Sequence, residues 1–247
     1  MAIFEPDRSG NWIGGEQARG PFIGLQGGGV ASLMVAEIEK IATQEGLGAA
    51  MSVSVEFLRP TPLMPLMTKP NILRRGRRSS VLTNEIWADG KQTASATVCV
   101  VHPVGGLGIA DSEPQRIDVG KIDPLPTRTA PHGGPWLMDN FEIRPGTDGI
   151  VWFRHKDEIT PDATPLARVL GPADWTHGLA RPSEPKLADP NVNLQVALAR
   201  HPRGEHIGIR PKTTWTSQGI GLGEGALFDE QGEIGRVAMS AVLIPFT

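Results

Sequence analysis

From Met51 to Phe57 apolar and polar residues alternate without a break: Met51, Val53, Val55 and Phe57 fall on one side, Ser52, Ser54 and Glu56 on the other. A period of two is that of a strand with one face buried, as in an antiparallel sheet. The run continues through Ile72–Arg78 and Ser79–Trp87, turns at Ala88-Asp89-Gly90-Lys91 and closes with the β-branched and small residues Thr93–Val101. Asp-Gly between two such runs predicts a hairpin. The same outline returns from Asn191. Val192, Leu194, Val196 and Leu198 alternate up to Arg200, as the first run ends at Arg59; Ile207–Lys212, Ser217–Gly221 and Ala226–Phe228 follow, then the turn Asp229–Gly232 and the closing run Arg236–Ile244. A shift of 141 residues carries Arg59 onto Arg200, and 142 carries Gly90 onto Gly232. One unit of about 110 residues is thus present twice, the size of a domain and not of a solenoid repeat.

Between the strands the period changes. Val30, Leu33, Met34, Ile38 and Ile41 share one stripe while Glu37, Lys40 and Gln44 point elsewhere, which predicts an amphipathic helix ending near Gly46 or Gly48. Gly27, Gly28 and Gly29 precede it, either as a tight entry turn or as exposed N–H groups at the positive end of a helix dipole, where a carbonyl or phosphate oxygen can bind. Leu166, Val169, Leu170 and Leu179 predict a second helix over 165–179, with a kink or restart at Gly171-Pro172 that puts Asp174 in a first turn. The Gly- and Pro-rich stretch 103–135 shows no period and is expected to cross from one half to the other.

Composition narrows the picture. Apolar residues make up 39% of the 247, enough for a core, and net charge is -3, so a broad polyanion-binding surface is not expected. The one basic cluster, Arg74, Arg75, Arg77 and Arg78, is a solvated face or a grip on a phosphorylated ligand. The lone Cys99 sits in an apolar run and is expected in the core. No stretch has the length of a membrane span and the N-terminal residues lack a signal-peptide pattern, so a cytoplasmic protein with no membrane partner is expected. The six histidines lack zinc spacing, and no metal or cofactor is expected. Gly221–Ala226 fits a dinucleotide fingerprint formally but leads into a strand, and no Gly-x-Ser-x-Gly elbow occurs.

The glycine-led helix, Phe57-Leu-Arg-Pro60, Arg74-Arg-Gly-Arg77-Arg-Ser-Ser80, the hairpin and the apolar closing strand, all doubled, resemble the acyl-CoA thioesterase II (TesB-like) double-hotdog proteins. The resemblance implies an α+β double hotdog: two antiparallel sheets, each wrapped around a long helix, related by a pseudo-two-fold axis. The halves would be residues 1–105 and 134–247, with 106–133 as crossover. It implies hydrolysis of an acyl-CoA or related acyl thioester by a water held by an aspartate, a hydroxyl residue and a glutamine. By position these fall on Asp174, Asn191 and Val242, so one of the three is kept, with Asn191 still able to bind a water. Ser240, Gln218 or His177 could substitute for the missing glutamine, and Gly27–Gly29 could line the substrate site. Asp174 could instead be a structural cap. A homodimer or higher homo-oligomer is expected, since exposed sheet edges in such folds find partners. Non-hydrolytic acyl binding is the alternative, favoured by Val242; a hotdog hydratase lacks its Gly-Asp-x-Asn-Pro-x-His signature here.

Overall fold

The computed structural model describes residues 2–110, 117, 119, 124–126, 129–162, 164–180 and 187–245. Strands β1 (Phe4–Pro6) and β2 (Trp12–Gly14) form a small ribbon ahead of helix α1 (Gly27–Gln44). The first half then supplies β3 (Ala49–Phe57), β4 (Met67–Thr68), β5 (Asn71–Arg74), β6 (Ser79–Ala88) and β7 (Lys91–Val101). The second supplies β8 (Phe141–Pro145), β9 (Val151–His155), α2 (Ala167–Ala173), α3 (Thr176–Leu179), β10 (Leu187–Ala188), β11 (Asn193–Leu198), β12 (His206–Trp215), β13 (Ile220–Asp229), β14 (Gly232–Val242) and β15 (Ile244–Pro245). The architecture is α+β and dominated by sheet.

Two separate sheets, each around a helix, are implied by the resemblance, but apart from the two-stranded ribbons β1-β2 and β10-β15 the described strands form one 11-stranded sheet. Its strands run β4-β6-β7-β3-β11-β14-β13-β12-β9-β8, with β5 also on β6. The halves join where β3 pairs antiparallel with β11, from Glu56↔Asn193 to Ser52↔Ala197. The merger follows from the alternation itself. Both strands present a polar row outward and an apolar row inward, so Val53, Val55, Leu194 and Val196 form one continuous buried row once the edges meet. Asp89 and Gly90, at φ 49° and 68°, make the tight hairpin turn that Asp-Gly predicts.

The helices depart from expectation in three ways. The glycines are not an entry loop: they form the first turn of α1, which is buried almost all round, including Glu39. Among the described residues the second half has no long helix, because Pro172 has no N–H to give to the Arg168 carbonyl and the helix stops at Ala173. Asp174 therefore sits at the end of α2, its own N–H bonded to Leu170 O at 3.0 Å, and not in a first turn. Cys99, expected in the core, faces solvent on β7, since Ala96, Val98 and Val100 take the inward positions.

α1 packs on β3, β6 and β7; α3 packs on β12, β13 and β14; and α1 lies against α2. Glu39 of α1 accepts the N–H groups of Leu166 and Ala167, each at 3.1 Å, and so caps α2. The Ser32 hydroxyl lies 2.7 Å from Gly28 O and 2.8 Å from Ala167 O.

The Arg168 carbonyl that Pro172 leaves free is taken by His155 Nε2 at 2.9 Å, with the imidazole edge-on to Phe141 at 4.8 Å. Burial lowers the His155 pKa to about 4, against the weaker upward pull of that hydrogen bond. The imidazole is thus neutral, with the proton on Nε2. Its protonation favours the unfolded chain, so stability is full above 6.5 and declines as pH falls toward about 4. His155→Gln keeps an N–H donor without titrating. The stability advantage of the wild type over this variant is expected to shrink by up to about 3 kcal/mol across that interval, read from urea unfolding midpoints at each pH.

Candidate active site

The first turn of α1 meets the end of α2 at a distance only glycine allows. A Cβ on Gly28 would lie 2.7 Å from Asp174 Cβ and 2.8 Å from Leu170 O; one on Gly27 would lie 3.0 Å from the Phe57 ring. Asp174 is 3% exposed. Its carboxylate accepts hydrogen bonds from Gln26 Nε2, from Asn191 Nδ2 at 2.8 Å and from the Gly28 N–H. The Gln26 orientation is fixed by its other end, because Oε1 accepts the Gly29 N–H at 3.0 Å and the amide group must then face Asp174. Burial pushes the Asp174 carboxyl above the ordinary aspartate value; the opposing pull of His177 and of the bonds from Asn191, Gly28 and Gln26 does not overcome it. Gly27 N–H has no acceptor among the described residues.

A cavity of about 590 Å³ opens at this junction, a size suited to a small organic ligand. Gln26, Gly27, Asp174, His177, Asp189 and Asn191 provide its polar wall. The apolar wall includes Phe57, Phe141 and the pair Trp136 and Trp175, whose rings meet edge-on with centroids 5.5 Å apart. Leu125, Pro126, Thr129 and Pro131 of the crossover line another side, so these residues are part of the site. Arg59 also lines the cavity, and its side chain has no partner among the described residues. The matching Arg200 is held instead by the buried Asp229, with Arg200 Nη2 to Asp229 Oδ1 at 2.7 Å. The two strand-end arginines thus differ in their surroundings.

The segment Asp189–Val192 crosses this wall in fixed register. Phe57 N–H donates to Val192 O at 3.0 Å, Val192 N–H to Ser240 O at 2.9 Å and Val242 N–H to Pro190 O at 3.0 Å. It brings Asn191 to Asp174, and Asp189 to His177, whose Nδ1 is 2.8 Å from Asp189 Oδ2. His177 and Asp174 share a helix face in the sequence, but the partner the structure gives His177 is Asp189.

Of the residues singled out from sequence, Asp174, His177, Asn191 and Gly27 meet in the cavity; Gly28 and Gly29 lie behind it as packing and hydrogen-bonding positions. Gln218 and Ser240 are not brought there. Gln218 is exposed in the β12–β13 turn, and Ser240 points outward because Met239 and Ala241 take the buried positions on β14. Val242 shares that outward row, 44% exposed. The amide beside Asp174 comes from the other half, as Gln26. The arginine cluster lies at the opposite end of α1: Arg75 pairs with Glu45 at 2.6 Å, about 27 Å along the helix from Gly27. Sequence reasoning missed Gln26, Asp189 and Glu39. A glutamine directly before a helix was the one available signal, since that position usually holds Ser, Thr, Asp or Asn.

A carboxylate and hydrogen-bonding groups converge on a cavity between helix ends beside one large antiparallel sheet, and the fold is of the hot dog class. Residues 19–101 match the model of the acyl-CoA thioesterase N-terminal domain, and residues 107–241 that of the acyl-CoA thioesterase C-terminal domain. The chain belongs to the acyl-CoA thioesterase family. No curated protein matches it. Among solved structures it is similar to acyl-CoA thioesterase II TesB2 from Mycobacterium marinum, with 18% identity, TM-score 0.70 and coverage of 98% of this chain and 96% of that one. It is also similar to a hot dog fold protein from Alicyclobacillus acidocaldarius, with 14% identity, TM-score 0.72 and the same two coverages of 98% and 96%. A tesB protein from Mycobacterium avium subs paratuberculosis shares 16% identity at TM-score 0.64, covering 97% and 90%. At such identities the likeness shows the fold alone.

Gly28→Ala forces α1 and α2 apart, since the contacting atoms are backbone and a Cβ and cannot swing away. It is expected to cost about 1–3 kcal/mol in unfolding free energy, measured by denaturant titration, and to lose thioester hydrolysis along with it.

Proposed function

We propose that the chain is a double hotdog with halves 1–105 and 134–247 joined by 106–133, and that it hydrolyses an acyl-CoA with Asp174 as the base. Supporting the first point, each half carries its own helix, hairpin and closing strand, and β3 meets β11 where a pseudo-two-fold axis would pass. The single observation behind the second is the Asp174 carboxylate, buried at a cavity wall and held by donors from both halves.

Three N–H donors orient the carboxylate, and one of its four lone-pair positions is left for a water. Burial makes this carboxylate a stronger base than a free aspartate. The side-chain amide of Asn191, bonded to Asp174 through Nδ2, offers its Oδ1 as a second acceptor for the same water. As the water attacks the thioester carbon, its proton passes to Asp174 and charge builds on the carbonyl oxygen, which the Gly27 N–H at the positive end of α1 is placed to receive. The acyl chain lies against Trp136, Trp175 and Phe141, and Arg59 offers a cation to the phosphates of CoA.

Asp174→Asn keeps the packing and removes the base. Release of CoA from an acyl-CoA, followed with a chromogenic thiol reagent, is expected to fall by about 10²-fold or more; release unchanged by this substitution would remove Asp174 from the reaction. In the wild type the rate is expected to drop on acidification through a pKa above the ordinary 3.8 of aspartate, because the base is lost when protonated. Arg59→Ala is expected to raise KM about 2–5-fold with kcat nearly unchanged, as an exposed charge contact would.

A further inference from the structure

Hydrolysis of a thioester moves two protons: one leaves the attacking water, and one must reach the departing sulfur. Asp174 accounts for the first. On the same wall, one turn further along the chain, stands a second acid–base group that this account leaves idle. His177 is buried, lines the cavity, and is held through Nδ1 by Asp189 at 2.8 Å. Its Nε2 has no partner among the described residues. Asp189 and Asn191 flank Pro190 in one segment pinned by three backbone hydrogen bonds, and each orients one of the two groups. A carboxylate on one ring nitrogen fixes the proton there, stabilises the imidazolium and leaves the other nitrogen for chemistry.

We propose that His177, oriented by Asp189, is a further catalytic residue of the hydrolysis, donating the Nε2 proton to the sulfur of the leaving thiol. The inference rests on the hydrolytic reading above. In the step, the water oxygen bonds to the carbonyl carbon and its proton goes to Asp174. The carbon–sulfur bond then breaks, its electron pair stays on sulfur, and the Nε2 proton completes the thiol. His177 is left neutral, its Nδ1 proton still on the ring and hydrogen-bonded to Asp189. Return of a proton from Asp174 to His177 through solvent restores both groups, so acyl thioester and water become acid and thiol with nothing else consumed.

The test uses the basicity of the leaving group. An alkyl thiolate such as that of CoA is a poor leaving group without a proton, whereas a thiophenolate carrying an electron-withdrawing nitro group departs without one. The full chain and its His177→Gln, Asp189→Asn and Asp174→Asn variants are compared on the CoA ester and the nitrothiophenyl ester of one acyl group. For His177→Gln, kcat on the CoA ester is expected to fall about 10²-fold while kcat on the nitrothiophenyl ester changes less than about 3-fold. Asp189→Asn should show the same split with a smaller loss, and Asp174→Asn should lose both substrates alike. Equal losses on both substrates with His177→Gln would make the histidine a structural or positioning residue and overturn the proposal. So would no loss on either. A wild-type chain inactive on both substrates would overturn the hydrolytic reading and this inference with it, an outcome distinct from the other two.

Discussion

The contact on which the rest depends is the near-collision of α1 with the end of α2. Gly28 sits against Asp174 and Leu170 where no other residue fits, and this brings a carboxylate of one half within reach of the helix terminus of the other. At the far end of the same helix pair, Glu39 reaches from α1 to the first N–H groups of α2. Each helix is thus capped by an acid carried on its neighbour. Both caps are held by geometry that fails if the helices separate, since a buried acceptor without its donors is costly.

The two caps differ in their surroundings. Glu39 is enclosed by packed helix, while Asp174 opens on a cavity lined by aromatic rings and by Leu125, Pro126, Thr129 and Pro131. The strand-end arginines diverge in parallel: Arg200 is locked onto Asp229, and Arg59 lines the cavity with its side chain unpaired among the described residues. Of the two strand-end arginines, one is thus committed to holding the fold while the other faces the cavity.

The strands were legible because alternation and turn chemistry are local. Val53, Val55, Leu194 and Val196 announce their faces, and Asp89-Gly90 its turn, without reference to anything distant. Asp174 and Asn191 were legible through resemblance, as positions. Hidden from the sequence was whatever depends on two segments meeting. Gln26 lies 148 residues from Asp174 in the chain and carries no periodic signal of its own. The partner of His177 is Asp189, which only the pinned segment before β11 delivers. Cys99 went the other way: its apolar neighbours suggested burial, yet one step along a strand reverses the face.

The seam between β3 and β11 has a further consequence. These strands satisfy each other's backbone groups inside one molecule. Where two separate chains must meet to build a composite pocket, its occupancy depends on how much protein is present. Here the meeting is written into the covalent chain, so the pocket exists at any dilution at which the polypeptide folds.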